Sequence, residues 1–398
     1  MFLDKIINKL LILFLVYTFF ILPTLKYFEY VHGGVRVNGA LISFALGVLI
    51  AFLMFFTLKK INTLKQDISL YFLIALFIYI TFYQLVLYFH VKNYSDQGNI
   101  IFLKTISNTI IKPLALFFIG VKLQNLYKTK IFNLSIKFSW FLSTFILSFY
   151  TITNPRGFYL FLDNAKIYLQ IADAYAILAF MFLSLIKKEN IRFIAFLFSS
   201  VMLFALLSRT SFYLFVFSYM CYMFLLRRKS FFLLVASLFF LTSLYIIKND
   251  IDLEELKNNR MIGFIITGSD KSLSSRDEML DNGMIALSEN WFFGDFLGEV
   301  RDNYGNTGAY MHNMLSFWRQ FGFIPFITLV VLLLKTLLKI YKESIKGPNQ
   351  YLILLLTGFI FIFGEMISAR GYTFTSYWLF ISAILSYNKQ KDISENEQ

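Results

Sequence analysis

The sequence is short of the residues that build soluble, disulfide-bonded or metal-binding proteins. It has one cysteine in 398 residues, which excludes an intramolecular disulfide, and only three histidines and five prolines. Charged residues make up 15% of the chain, against roughly 25% in soluble domains. The cysteine, Cys221, lies in an apolar run, where the expected role is that of a small buried hydrophobe. A soluble domain, a disulfide scaffold and a disordered chain are therefore excluded.

Apolar residues dominate instead. They make up 58% of the chain, including 50 Phe, and the mean hydropathy is +0.64. A helix needs about 20 mostly apolar residues to cross a bilayer. The fold class predicted is therefore all-α: a polytopic integral membrane protein with about twelve spans. The spans are predicted at residues 7–25, 38–58, 68–90, 103–121, 132–152, 166–186, 191–207, 211–226, 230–247, 320–340, 350–367 and 372–387.

The net charge of +13 reports membrane topology rather than a nucleic-acid partner. Lysine-rich connections alternate with lysine-poor ones, and positive residues collect in cytoplasmic loops. The lysine-rich connections lie near 59–65, 122–130, 187–192, 227–229 and 339–346. These loops and both termini are predicted to be cytoplasmic. No basic patch interleaved with aromatic residues suggests base recognition, so a nucleic-acid partner is not expected.

The same alternation divides the chain into four parts. Residues 1–247 carry the first nine predicted helices, and 248–319 form one large outer loop late in the chain. Residues 320–387 carry the last three helices, and 388–398 form a cytoplasmic tail. The long outer loop is the part in which a site is expected.

Arginine is distributed against the topological trend, because eight of the eleven arginines fall on the predicted outer side. Pairing with the many loop carboxylates would explain why Arg260 and Arg301 lie on the outer side. It explains Arg209 and Arg370 less well, since each lies in a short outer turn with no adjacent acid, although Glu365 precedes Arg370 by five residues. The guanidinium fork matches phosphate oxygens bidentately. An anion-binding arginine set on the outer face is predicted.

Two helices are predicted in the outer loop. The spacing of Ser275 and Glu278 is that of a capping box, which starts a helix there with Arg276 in its anion-favouring first turn. A plain surface helix is the alternative. Residues 291–308 indicate turns.

The second helix is predicted over Tyr310–Gly322, with one polar face. His312 and Arg319 would share it about 10 Å apart along the axis. Such a face can line a cavity in which Arg319 binds an anion and His312 moves a proton, or it can simply face water or headgroups. The other polar residues on this face are Asn313, Ser316 and Gln320.

Two acids stand in apolar spans, and several known motifs are missing. Asp173 and Glu365 are costly in lipid, so they are either functional or paired inside the bundle. No Gly-rich phosphate loop, Cys/His cluster or nucleophile elbow is found in the sequence. Neither a metal nor a cofactor is expected.

Four short segments of the outer loop and the start of the next span form a pattern: Arg276–Met279, Trp291–Gly294, His312–Asn313 and Gln320–Gly322. This pattern resembles that of the O-antigen polymerase and O-antigen ligase superfamily of bacterial envelope glycosyltransferases. The likeness covers about 276–322, and elsewhere only the topology agrees. In the family, Gly-Val-Gly usually follows the aromatic residues. Here Trp291–Phe293 are followed by Gly-Asp-Phe-Leu-Gly at 294–298.

This resemblance implies a multi-pass protein of the bacterial inner (cytoplasmic) membrane and a metal-independent, inverting glycosyltransferase. The donor would be an undecaprenyl-pyrophosphate-linked glycan, and the expected partners are the lipid bilayer, a chain-length regulator and a flippase. His312 would be the general base, supported by Asn313 and Ser316. The residues expected to bind the pyrophosphate are Arg209, Arg276, Arg319 and Arg370.

Three functions remain open at this point. Polymerisation of lipid-linked repeat units into O-antigen or capsule-type polysaccharide is favoured, because the superfamily's polymerases are the more varied in sequence. A ligase that transfers the glycan to lipid A core is the first alternative. A lipid-linked sugar flippase or transporter is the second, which would use charges at the bilayer midplane and broken helices.

Overall fold

The computed structural model describes residues 2–32, 42, 45–50, 52, 68–91, 98–153, 167–206, 208–225, 271–303, 311–347 and 349–387. Within these ranges every regular element is a helix. The elements are α1 (Phe2–Val16), a π-turn π1 (Tyr17–Ile21), α2 (Leu22–His32), α3 (Ile68–Val91), α4 (Gly98–Ile106), a second π-turn π2 (Ser107–Ile111), α5 (Lys112–Tyr127), α6 (Lys130–Thr153), α7 (Ile167–Leu185), α8 (Glu189–Ala205), α9 (Arg209–Leu225), α10 (Lys271–Glu289), α11 (Gly298–Asp302), α12 (Leu315–Phe321), α13 (Phe323–Ile345), α14 (Gln350–Ser368) and α15 (Ser376–Leu385).

The helical membrane class predicted from composition is confirmed. Six helices in the described part of the chain are long and apolar enough to cross a bilayer. Helices also lie at every predicted span except 38–58 and 230–247, which fall mostly or wholly outside the described residues, as does the tail 388–398. The count of twelve spans stays a prediction. The six spans are Asp4–Glu29, Lys104–Tyr127, Lys130–Phe149, Tyr168–Leu185, Phe323–Ile345 and Gln350–Ser368.

The last predicted span, 372–387, differs from the structure. Helix α15 has ten residues, all buried, so it is about 15 Å long and cannot cross the roughly 30 Å hydrocarbon core. It packs against α5, where a Cβ added at Gly120 would lie 1.9 Å from Ser382 Oγ. Its apolar composition reflects burial inside the bundle, which hydropathy does not distinguish from lipid exposure.

Helix α7 forms the centre of the bundle. It contacts α6, α8, α9 and α14, and all its residues from Ile171 to Met181 are buried. Helix α14 packs on both α7 and α9. The first turns of α7 and α9 and the last turn of α14 therefore meet at one end of the bundle, where the polar residues of the candidate site lie.

Both helix starts predicted for the outer loop are wrong. Helix α10 begins at Lys271, so Arg276 is its sixth residue rather than part of its first turn; residues 271–274 contain no Gly or Pro to delay the helix. The helix predicted over Tyr310–Gly322 begins only at Leu315. Asn313 Oδ1 accepts a hydrogen bond from Leu315 N at 3.0 Å, and this local bond competes with a helix through His312.

Candidate functional site

Arg370 and Asp173 form a buried bidentate ion pair at the end of the bundle. Arg370, in the turn between α14 and α15, donates from Nε to Asp173 Oδ2 at 2.6 Å and from Nη2 to Oδ1 at 2.8 Å. Ser211 on α9 donates to the same carboxylate at 2.7 Å. Arg370 has no adjacent acid in the sequence, and its ion-pair partner Asp173 is 197 residues away along the chain.

Glu365 is a second acid against the same guanidinium. Its Oε2 atom lies 3.5 Å from Arg370 Nε, and its side chain is fully buried. The backbone N–H of Arg370 donates to the Glu365 carbonyl at 2.7 Å, which fixes the turn. Asp173 and Glu365 are thus paired inside the bundle, the second of the two interpretations that the sequence left open.

Arg209 and Arg370 both lie near Arg276, and the three arginines are named the arginine cluster. Arg209 is the first residue of α9, and Arg276 is half-buried on α10. Burial, and then repulsion from Arg370, lower the pKa of Arg276, with a smaller contribution from Arg209. Because an arginine stays charged at neutral pH, the cluster places three positive charges at the end of the bundle that holds Asp173 and Glu365.

A second polar network centres on Glu299, which is 1% exposed. Glu299 accepts hydrogen bonds from Tyr372 OH at 3.0 Å and from Gln320 Nε2. Burial raises its pKa above the ordinary value of 4.5, although the charge of Arg319 and the two donors oppose this. The backbone N–H of Tyr372 also donates to Ser316 Oγ at 2.8 Å. The 369–375 turn therefore joins this network to the arginine cluster through Tyr372 and Arg370.

Arg319 belongs to the Glu299 network and not to the arginine cluster. Its side chain is buried, its Nη2 donates to Asp302 Oδ2 at 3.3 Å, and its charge acts on Glu299. Among the described residues, its Nε has no hydrogen-bond partner. Three of the four arginines predicted to bind one anion are thus brought together, while Arg319 is held by loop acids.

His312 lies in a bend before α12 and is half-buried. The preceding residue, Met311, is buried against Gly283 of α10, where an added Cβ would lie 2.2 Å from the Met311 Cγ atom. Arg276 lies on the same helix, seven residues before Gly283, or about 10 Å along the axis. The contact between Met311 and Gly283 therefore holds His312 at the junction of α10 and α12.

Asn313 and Ser316 have local structural contacts. Asn313 accepts from the first N–H of α12, and its carbonyl accepts from Ser316 N at 3.1 Å and Ser316 Oγ at 2.8 Å. Ser316 also receives the Tyr372 N–H. These two residues start the helix and attach it to the 369–375 turn.

Two glycines allow the aromatic segment Trp291–Phe293 to pack against the end of α12. Gly294 and Gly322 have φ of +81° and +86°, in the region that favours glycine. Asp295 N donates to Arg319 O at 2.6 Å and Phe323 N to Phe292 O at 3.0 Å. A Cβ at Gly322 would lie 2.3 Å from that Phe292 oxygen. Two of the segments that carry the family resemblance are therefore in direct backbone contact.

Sequence reasoning missed Glu299, Tyr372 and Ser211. Glu299 lies between Gly298 and Val300 and is followed by the charged Arg301 and Asp302, so the sequence gives no signal that it is buried. Tyr372 follows Arg370 by two residues in a turn between apolar runs. Ser211 carries no signal in the sequence, because its role depends on Asp173 from another helix.

Within the described residues, no three His, Cys, Asp or Glu side chains lie close enough together to hold a metal ion. No protein-family model, curated protein or solved structure matches the chain.

Proposed function

We propose that this protein is a glycosyltransferase that polymerises undecaprenyl-pyrophosphate-linked oligosaccharide repeat units at the outer face of the bacterial inner membrane. The product would be an O-antigen or capsule-type polysaccharide. The resemblance of residues 276–322 to the O-antigen polymerase and ligase superfamily suggests this reaction. The observation that carries the proposal is the convergence of Arg209, Arg276 and Arg370 at one end of an apolar bundle.

The arginine cluster suits a pyrophosphate leaving group. Its three positive charges are partly buried, where electrostatic interactions are stronger than in water. Arg276 has more freedom to meet a ligand than Arg370, because Arg370 already spans Asp173 and Glu365. Hydrogen-bond donors that are held in place and point at the charge that develops in the transition state often make the largest contribution to catalysis. Departure of the pyrophosphate would thus need no metal ion.

The displacement would be a single step. A sugar hydroxyl of the acceptor attacks the anomeric carbon of the donor glycan and forms the new C–O bond. The bond from that carbon to the pyrophosphate oxygen breaks, and the oxygen leaves with the electron pair. His312 accepts the proton of the attacking hydroxyl. One displacement inverts the anomeric centre, and a positioned base contributes typically 10²- to 10⁴-fold.

The test is to incubate purified protein with lipid-pyrophosphate-linked repeat units alone and to resolve product lengths on a gel. A ladder of multimers is expected, and it should be lost in Arg276→Gln. Arg301→Gln is the matched control, because Arg301 is an exposed arginine of the same loop that pairs with Asp295 and Asp302. That control should keep the ladder.

Other outcomes would overturn the proposal in identifiable ways. Product that forms only when lipid A core is added would make the protein a ligase. Movement of the lipid-linked sugar across a vesicle membrane with no new glycosidic bond would make it a flippase or transporter. A ladder that survives Arg276→Gln would remove the arginine cluster from the mechanism.

A further inference from the structure

The aromatic segment Trp291–Phe293 is exposed although it is apolar. Its three side chains are 52%, 41% and 69% exposed, in chain order. The segment directly follows the end of α10, where Ser288, Glu289 and Asn290 are also exposed but polar. An exposed apolar patch rimmed by polar residues marks a surface that binds a protein or a membrane. The surface of the loop therefore changes from polar to apolar at residue 291.

The backbone carbonyls of the aromatic segment are all hydrogen-bonded within the protein. The first carbonyl accepts from Trp318 Nε1 at 2.6 Å, the second from Phe323 N at 3.0 Å and the third from Tyr83 OH at 2.8 Å. A turn in water can leave its carbonyls to the solvent. A turn in hydrocarbon cannot, because an unsatisfied backbone group is costly where no water is present. The segment thus meets the requirement for backbone that faces lipid.

The aromatic segment lies beside the body of α3 and not beyond its end. Tyr83, which binds the third carbonyl, is eight residues before the end of α3 at Val91, or about 12 Å along the axis. One turn earlier, Tyr79 OH donates to the carbonyl of Phe321 at 3.4 Å. Helix α3 also packs on α13, which begins at Phe323. The segment therefore lies level with the first turn of α13 and below the end of α3.

The exposed faces of α3 and α13 beside the aromatic segment are apolar. On α3, Phe82 is 68% exposed and precedes the Tyr83 that binds the segment. On α13, Ile324 is 58% exposed and follows the Phe323 that binds it. Helix α13 is long and apolar enough to cross a bilayer. The aromatic patch is therefore continuous with a surface that faces lipid.

We infer that the aromatic segment inserts into the hydrocarbon layer of the bilayer and anchors the loop before α13 in the membrane. Tryptophan and phenylalanine suit this depth, since aromatic residues are enriched where the hydrocarbon meets the headgroups. A partner protein bound here would have to displace lipid from the adjoining faces of α3 and α13, so the bilayer is the occupant. Asp295 N donates to Arg319 O at 2.6 Å. The anchor therefore fixes the depth of the Glu299 network, whichever reaction the protein catalyses.

Spin labels on the full chain measure this depth without an activity assay. Cys221→Ala removes the single native thiol, and a nitroxide is then attached to Phe293→Cys, Ser288→Cys or Leu334→Cys. The three positions are exposed, so the label replaces no buried contact. The proteins are reconstituted in phosphatidylcholine vesicles. Power-saturation EPR compares collisions with oxygen, which concentrates in hydrocarbon, and with a nickel chelate, which stays in water.

The ratio of oxygen to nickel collisions should place residue 293 in the membrane. We expect the ratio at 293 to lie closer to that at 334, in the middle of α13, than to that at 288, at the end of α10. A ratio at 293 equal to that at 288 would place the aromatic segment in water and overturn the inference.

A second measurement uses the unlabelled protein. Lipids brominated on the acyl chain quench tryptophan fluorescence by contact, and Trp291→Phe keeps the segment apolar. The variant should lose part of the fluorescence that these lipids quench in the wild type. Equal quenchable fluorescence in the two proteins would mean that Trp291 does not touch the acyl chains, and the inference would then fail.

Discussion

At the scale of single residues, His312 is the side chain on which the proposed chemistry depends most. We expect His312→Ala to reduce turnover by roughly 10²- to 10⁴-fold, the usual contribution of a general base, while the protein still inserts and folds. The reason is that the neighbouring Met311 makes the buried contact with Gly283 of α10, and this contact is retained in the variant. Turnover of lipid-linked repeat units, measured from the rate of ladder formation, is the readout.

His90 in α3 provides the matched control for this experiment. His90→Ala should retain activity, because His90 is outside the segments that carry the resemblance. Near-normal turnover in His312→Ala would remove His312 from the mechanism.

Glu299 should make stability depend on pH. Its pKa is raised in the folded protein, so the folded state holds a proton that the unfolded state releases above its ordinary value of 4.5. The contribution of Glu299 is therefore most favourable below pH 4.5 and declines as the pH rises from there through the raised pKa. Glu299→Gln, which does not titrate, should show a smaller fall in melting temperature over this range.

Tryptophan fluorescence can follow this transition, because Trp318 donates to the Trp291 carbonyl at 2.6 Å in the same part of the loop. Wild type and variant would be melted at a series of pH values in one detergent. Parallel curves for the two proteins would mean that Glu299 titrates no differently in the folded and unfolded chain.

At the scale of elements, the contact between the aromatic segment Trp291–Phe293 and the start of α13 depends on Gly322. Gly322→Ala should open this part of the loop, because an alanine there adopts a positive φ at a cost of about 1 kcal/mol or more and its Cβ meets the Phe292 carbonyl. We expect faster proteolysis in the loop and reduced activity. Limited proteolysis followed by mass spectrometry measures the first effect.

Ser288→Ala serves as the comparison for that variant, since Ser288 is exposed on α10 and bonds only to a carbonyl of its own helix. It should be cleaved like the wild type. Equal cleavage of Gly322→Ala and wild type would show that the backbone contact does not hold the loop.

Helix positions were largely predictable, because apolar runs determine where helices form in a membrane protein. The start of α12 was not predictable, because one hydrogen bond that Asn313 Oδ1 accepts from Leu315 N decides it. The arginine cluster could be predicted in part: Arg209, Arg276 and Arg370 stand out as arginines where topology disfavours them. The acid partner of Arg370 could not be predicted, because Asp173 and Arg370 are brought together only by packing of α7 against α14.

At the scale of the whole molecule, the pair of Asp173 and Arg370 connects the middle of the chain to its last helices. Removing one partner of a buried ion pair costs about 3–5 kcal/mol, because it leaves an uncompensated charge. Asp173→Asn and Arg370→Gln should each lower the melting temperature strongly. The double variant should recover part of the loss, since neither charge of this pair is left without the other, and the loss that remains reflects Glu365, which also faces the Arg370 guanidinium.

The double-mutant cycle separates pairing from other effects. Thermal unfolding in one detergent gives the four melting temperatures. Strictly additive losses would mean that the two side chains do not stabilise each other. The Arg192→Gln variant provides the comparison, because Arg192 is a buried arginine that binds the Tyr222 hydroxyl and backbone carbonyls rather than an acid.

The distance between Asp173 and Arg370 along the chain also sets the time between the synthesis of the two residues. A ribosome adds about 5–20 residues per second, so the 197 residues that separate the two side chains take about 10–40 seconds to make. During that interval α7 is already complete and carries a carboxylate without its cation. We therefore expect a polypeptide that stops before α14 to be less stable than the full chain, because Asp173 lacks its bidentate partner.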